Sequence, residues 1–214
     1  AVFSPRMTSE SLFAWSALLQ AAGGAIVAVA RVERGADDEL LIRRDRGANS
    51  TGARWVLGEV GTPDAVLEAV GAGRVDTLIV FGDPLDPDET PTVPDQARAA
   101  LTELVYVGAF ADAVASRAGV VLPVAAWAEE DGTIVNFEGR IQRVRRAHLP
   151  RGERRPAWRV AVDLARAAEI DLPQWSSAAD VLASLGTAVA AYDGLDEETI
   201  GLLGIAATAA AAGA

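Results

Sequence analysis

The sequence contains no cysteine and no lysine. Without thiolates, its residues supply no disulfide, no thiolate zinc site and no iron–sulfur ligand. Without lysine there is no Schiff-base amine and no P-loop phosphate contact. Every basic side chain is therefore arginine. His148 is the one histidine and no Gly-x-Ser-x-Gly elbow occurs, so nucleophilic catalysis by a triad has little to be built from. Aromatic residues make up 6% of a chain that is 50% apolar, so alanine carries much of the apolar count and closely packed helices are expected. The formal charge of −11 argues against nucleic acid as a partner. The uncharged run at the far end, Ile200 to Ala214, falls short of the roughly 20 residues that span a bilayer. No charged segment followed by an apolar one opens the chain, so no secretory signal is expected. The expectation is a water-soluble domain, cut from a longer polypeptide. Its 214 residues suffice for one α/β domain or one and a half.

Read in order, the chain alternates helical and strand patterns. Thr8-Ser9-Glu10 reads as a helix cap, and Leu12, Phe13, Trp15, Leu18 and Leu19 form a helical face. Ala25 to Ala30 predicts a buried parallel strand. Arg31 to Arg46 is charged apart from Leu40-Leu41-Ile42, which suggests a short edge element. Gly47-Ala48-Asn49-Ser50-Thr51-Gly52-Ala53 reads first as a loop opening a helix, capped by Asn49 or Ser50; its small residues would also let backbone approach a phosphate or pterin. Pro63 to Ala72 is a helix with proline in its first turn. Asp76 to Phe81 is a second buried strand, followed directly by Gly82-Asp83-Pro84 at its carboxyl end, where open α/β sheets hold ligands. Asp83, Asp86, Asp88 and Glu89 lack the spacing of a calcium loop and read as solvated. A helix from Pro94 to Leu101, a strand at Leu104 to Val107, a short helix from Asp112 to Arg117 and a buried strand at Val120 complete the series. This order implies an α/β fold: an open, mostly parallel sheet with helices on both faces. Gly71-x-Gly73 lacks the third glycine of a dinucleotide fingerprint.

The most distinctive stretch is Val120 to Gln142, VVLPVAAWAEEDGTIVNFEGRIQ. Trp127 is its large apolar side chain and is expected in the core. Glu129, Glu130 and Glu138 surround the Asp131-Gly132 turn signal and are expected in solvent, unsuited to paired acid–base work. From Arg140 to Arg159 the chain carries eight arginines against one acid, Glu153, with His148 among them. That stretch reads as a solvated or subunit-facing surface, or as a site for an acidic partner. Pro156 opens another helix, with Trp158, Val162, Leu164 and Ala165 as core contacts. Ser176-Ser177 caps a helix to about Tyr192, and Asp196-Glu197-Glu198 starts a last one. The alanine-rich end is expected to fray. The boundaries predicted are residues 1–170 for the α/β domain and 171–214 for a helical extension.

Several of these segments resemble one family. Ala118, Val120, Val121, Leu122 and Pro123, then Glu129, Gly132, Thr133, Asn136, Glu138, Gly139, Arg140 and Gln142, match a signature of molybdopterin oxidoreductases. The version with Glu-Gly-Arg is typical of the large iron–sulfur subunit of bacterial NADH–quinone oxidoreductase, respiratory complex I. Formate dehydrogenases more often carry Glu-Arg-Arg. Gly47 to Ala53, Gly82-Asp83-Pro84 and Pro156-Ala157-Trp158 resemble further family segments. The resemblance implies a nucleotide-binding-like α/β domain with C-terminal helices. It also implies a vestigial pocket, whose weak candidates are Asn49, Gly82, Asp83, Asn136 and Arg140; no catalytic or metal-binding residue is assigned. Where the active enzymes carry polar residues that hold a guanine dinucleotide, this chain has Val107 to Val114, in which only Phe110 matches. The implied function is a structural and assembly module of the peripheral arm, on the cytoplasmic face of the bacterial inner membrane, beside the other peripheral-arm subunits. No cofactor is then expected in this chain, and the iron–sulfur clusters belong to an N-terminal part outside it. The alternatives are a fragment of a molybdopterin enzyme such as a formate dehydrogenase, and a stand-alone binding module.

Overall fold

The apolar runs become strands of an all-parallel sheet. The computed structural model describes residues 1–207, and the tail expected to fray, 208–214, lies outside them. The strands are β1 (Val2–Phe3), β2 (Ala28–Val29), β3 (Thr77–Phe81), β4 (Glu103–Gly108) and β5 (Val120–Pro123), in the order β2-β1-β3-β4-β5. Side chains alternate across it, as a strand's period of two requires. Phe3, Ile79, Phe81, Val105 and Val107 face helices α1 (Ser9–Ala21), α2 (Ser50–Leu57) and α5 (Ala157–Ala167). Val2, Leu78, Val80, Leu104 and Tyr106 face α3 (Pro63–Gly71) and α4 (Asp95–Ala100). Both faces are thus covered, as the sequence predicts.

Trp15 of α1 anchors the first of these cores. It is fully buried, meets Phe81 edge-on at 4.9 Å between ring centroids, and donates its indole N–H to the Ala157 carbonyl at 2.9 Å. Phe81 in turn stacks on Phe3 at 4.4 Å. A second, antiparallel sheet, β6-β7-β8, is built from β6 (Gly132–Val135), β7 (Arg140–Val144) and β8 (Ile205–Ala206). Its apolar side packs Val135 and Ile141 against Leu182 and Leu185 of α6 (Ala178–Ala188), Tyr192, and Ile200 of α7 (Glu197–Ile200). The helices start as read: Thr8, Ser177 and Asp196 accept hydrogen bonds from backbone N–H groups of their first turns.

Several readings are corrected. Val2–Phe3, too short to show a period, is an inner strand, and the run from Ala25 shrinks to two residues at the sheet edge. The Val120 strand is the opposite edge; with one neighbour only, Val120 and Val121 are 41% and 48% exposed rather than buried. Trp127 is 37% exposed in a short 3₁₀ turn, and the tryptophans at 15, 158 and 175 take the core instead. Leu164 is likewise partly exposed, whereas Trp158, Val162 and Ala165 are buried. After residue 170 come α6, α7 and the two-residue strand β8, which pairs with β7. Leu40-Leu41-Ile42 lies outside any strand, at the tip of an arm where the Asp38 carboxylate accepts all three of their N–H groups.

Candidate functional site

In this strand order the chain reverses direction across the sheet between β1 and β3, so the crevice for a ligand lies at their carboxyl ends. Ser4 and Arg6 follow β1, and Gly82 and Asp83 follow β3. They meet one another. The Asp83 carboxylate, 1% exposed, accepts from the Ser4 hydroxyl at 3.1 Å and from the Arg6 guanidinium at 2.9 Å. It also accepts the N–H groups of Leu85 and Asp86, each at 2.9 Å, while its own N–H donates to Thr90 Oγ1 at 3.0 Å. Gly82 provides a close approach, but to Tyr106: an added Cβ would sit 2.1 Å from the Tyr106 hydroxyl oxygen. Asp86, Asp88 and Glu89 do not gather, and among the described residues no group of three metal-ligating side chains occurs.

Asn49 precedes α2 but caps nothing with its side chain. It is buried, and donates through Nδ2 to the Met7 carbonyl at 2.8 Å and to Ser9 Oγ at 3.2 Å. Its Oδ1 accepts the Val135 N–H at 2.7 Å. One amide therefore joins the starts of α1 and α2 to β6. Gly52 makes room for it, since a Cβ there would lie 2.0 Å from Asn49 Oδ1. The open space beside this loop is a surface cavity of about 480 Å³ lined by Arg46, Gly47, Ala48, Ser50, Arg54 and Asn136 among others.

The signature stretch builds the β6–β7 hairpin. Asn136 Oδ1 accepts the N–H groups of Glu138 at 3.0 Å and Arg140 at 2.9 Å, an Asx turn. Gly139 has φ of 77°, the left-handed region that penalises a side chain. Arg140 donates to the Gly204 carbonyl at 3.0 Å and so ties β8 to the hairpin. Gly132 is the first residue of β6 rather than a turn, and its role is proximity: a Cβ would lie 2.7 Å from Glu10 Oε2 and 2.9 Å from Thr8. Thr133 then donates to Glu10 twice, through N–H at 2.7 Å and through Oγ1 at 3.0 Å. Gly132→Ala is expected to destabilise the chain by about 1–3 kcal/mol through overpacking, measured by denaturant unfolding. A loss no larger than that of a surface substitution would show that the hairpin does not need this approach.

Glu129 and Glu130, expected in solvent, are buried. The signal was absent locally because their surroundings come from distant segments. Glu129 accepts from Arg154 at 2.6 Å and from the Ala126 N–H at 2.9 Å. Burial pushes the Glu130 carboxyl up to about 8, and the nearby charge of Glu10 adds to that rise. Burial likewise raises Glu10 to about 7, against the lowering effect of the Thr133 hydrogen bonds. Glu10 was legible only as part of a cap, and Ser4, Arg6 and Tyr106 carried no motif at all. The arginine-rich stretch is largely matched from within: Arg143 pairs with Glu197, Arg146 with Asp131, Arg154 with Glu129, and Arg155 and Arg159 with Asp163. Among the described residues no helix is long and apolar enough to cross a membrane.

Comparison with known proteins agrees with this architecture. The molybdopterin oxidoreductase family model matches residues 45–167. The chain is 32% identical over 149 residues to the F420-dependent formate dehydrogenase 2 subunit alpha of Methanococcus maripaludis, covering 69% of this chain and 22% of that protein. It is 33% identical over 139 residues to an NADH-quinone oxidoreductase subunit of Pseudomonas putida, covering 65% and 15%. It is 33% identical over 168 residues to a like-named NADH-quinone oxidoreductase subunit of Rhizobium meliloti, covering 78% and 20%. The chain thus spans less than a quarter of the length of these relatives. By the extent of the family match and by the parallel sheet that carries it, this chain belongs to the molybdopterin oxidoreductase family.

Proposed function

We propose that this chain is a structural and assembly module of the peripheral arm of an NADH–quinone oxidoreductase, with no redox centre of its own. The observation that carries the reading is the filled switch point, where Ser4 and Arg6 hold Asp83 in the place a ligand would take. The residues present do not fit a pterin guanine dinucleotide. Such a group needs fixed donors and acceptors facing it, and buried polar groups without partners are costly. Along Val107 to Val114 the polar groups instead serve one another. Tyr106 donates to the Phe110 carbonyl and to Asp112, each at 2.8 Å, and Asp112 accepts the Val114 and Ala115 N–H groups. The adjoining cavity, about 400 Å³, is lined largely by Ala109, Phe110, Ala111, Val121 and Pro123.

The NADH-quinone oxidoreductase relatives support placement in a respiratory assembly at the cytoplasmic face of the inner membrane, with iron–sulfur clusters bound by polypeptide outside these residues. Glu138-Gly139-Arg140, with glycine where φ is 77°, also supports this branch. The formate dehydrogenase relative favours a second reading, a piece of a molybdopterin enzyme. The test is to isolate the native assembly from its source by an antibody to this chain. Flavin, iron–sulfur clusters and NADH oxidation without stoichiometric molybdenum are the expected result. Stoichiometric molybdenum with formate oxidation would overturn the assembly reading in favour of the second.

A further inference from the structure

The two buried glutamates have no part in the switch point, and their surroundings are unusual. Glu10 lies in the first turn of α1, and Glu130 precedes β6. Both are almost wholly inaccessible. Glu130 lies against the Ser11 hydroxyl and the Ala157 amide, yet its Oε2 has no hydrogen-bond partner. An ionised carboxylate with an orphaned oxygen in such a place is expensive unless a cation or a proton neutralises it.

The cations nearby are already matched. On β7, Arg143 pairs with Glu197 of α7, and these two line the same minute cavity as Glu10 and Asp131. Asp131, beside Glu130, pairs with Arg146. Glu129 pairs with Arg154 at 2.6 Å and has His148 at 3.8 Å. Glu197 and Asp131 act on the pair as like charges. The remaining neighbours are neutral donors: Thr133 of β6, Ser11 of α1, and the Tyr192 hydroxyl, which donates to Ser9 at 2.7 Å. The helix dipole of α1 favours one negative charge at its N-terminus, but among the described residues neither carboxyl has an ion-pair partner that would offset two.

We infer that Glu10 and Glu130 form a protonated carboxyl latch, which fastens the β6–β8 layer and the C-terminal helices onto α1 and lets go when its protons leave. Polar contacts cross this seam beside the apolar ones. Thr133 reaches Glu10, Asn49 reaches Val135, and Tyr192 reaches Ser9. Proton loss would put two like charges among them. Both carboxyls are raised above the ordinary glutamate value of 4.5, so the folded chain holds protons that the unfolded chain releases. Their stabilising contribution is complete below 4.5 and is lost as pH rises through about 7 and about 8.

The experiment is a pH titration of the full chain, labelled with ¹³C in its glutamate carboxyls, with the Thr133 amide and the Tyr192 ring followed in parallel. Two carboxyl signals with midpoints above about pH 6, well clear of the ordinary range, are expected. The Thr133 and Tyr192 signals should move with the same midpoints. In Glu10→Gln, the Glu130 midpoint should fall by about one unit, because the charge that raises it is gone. The double variant Glu10→Gln/Glu130→Gln imitates the protonated pair, so its Thr133 and Tyr192 signals should stay fixed across that range. All carboxyl midpoints in the ordinary range, a Glu130 midpoint indifferent to Glu10→Gln, or Thr133 and Tyr192 signals that still titrate in the double variant would each overturn the latch.

Discussion

Trp15→Ala is expected to cost about 3–5 kcal/mol, the range for removing a large buried aromatic. The indole touches both layers that matter: its ring packs edge-on against Phe81 of β3, and its N–H holds the carbonyl of Ala157 at the start of α5. Truncation leaves a cavity at the centre of the first core and removes the indole's hydrogen bond to α5. Trp127 is the comparison. It stands 37% exposed on a short turn and has no such contacts across the sheet, so Trp127→Ala should cost far less than Trp15→Ala. Denaturant unfolding of the two variants checks both. Equal losses would mean that the core is not organised around Trp15.

Asn49→Ala is expected to destabilise by roughly 2–4 kcal/mol, since it strands the Val135 N–H and the Met7 carbonyl in a buried place and takes one of two partners from the Ser9 hydroxyl. Asn49→Asp keeps the acceptor for Val135 and loses the donors, so it should also destabilise. If Asn49 were held ready for a ligand, its truncation would leave stability nearly unchanged and reduce binding alone. Thermal and denaturant unfolding of the alanine variant separate these outcomes. The structure predicts the first, because Nδ2 already donates to two acceptors and Oδ1 already accepts the Val135 N–H.

The parallel sheet and its flanking helices were legible because β-branched runs such as Leu78-Ile79-Val80 alternate with helical patterns over intervals that suit crossovers. β1 was not, because two residues carry no period and its place between β2 and β3 is a long-range fact. Residue identities in the signature stretch were also legible, but their roles were not. Gly132 reads as a turn residue after Asp131, yet what it serves is Glu10, more than a hundred positions away. Glu129 and Glu130 look solvated for the same reason: Arg154, Ser11 and Ala157, which enclose them, are scattered along the chain. The arginine count of the 140–159 stretch left open a solvated or subunit-facing surface and a site for an acidic partner; Asp131, Asp163, Glu129 and Glu197 pair with much of it from within. Local pattern reports the elements; pairing across the seam decides what their polar groups do.

The central claim is that the strand ends hold the chain's own side chains and not a cofactor. The most direct measurement follows the backbone amide signals of Ser4, Gly82, Asp83 and residues 107–114 while GDP, standing for the guanine half of the dinucleotide, is added to millimolar concentration. The account predicts no saturable shift at these amides, because Ser4, Arg6 and Asp112 already have their partners. A saturating shift confined to them, abolished by Asp112→Ala, would contradict it.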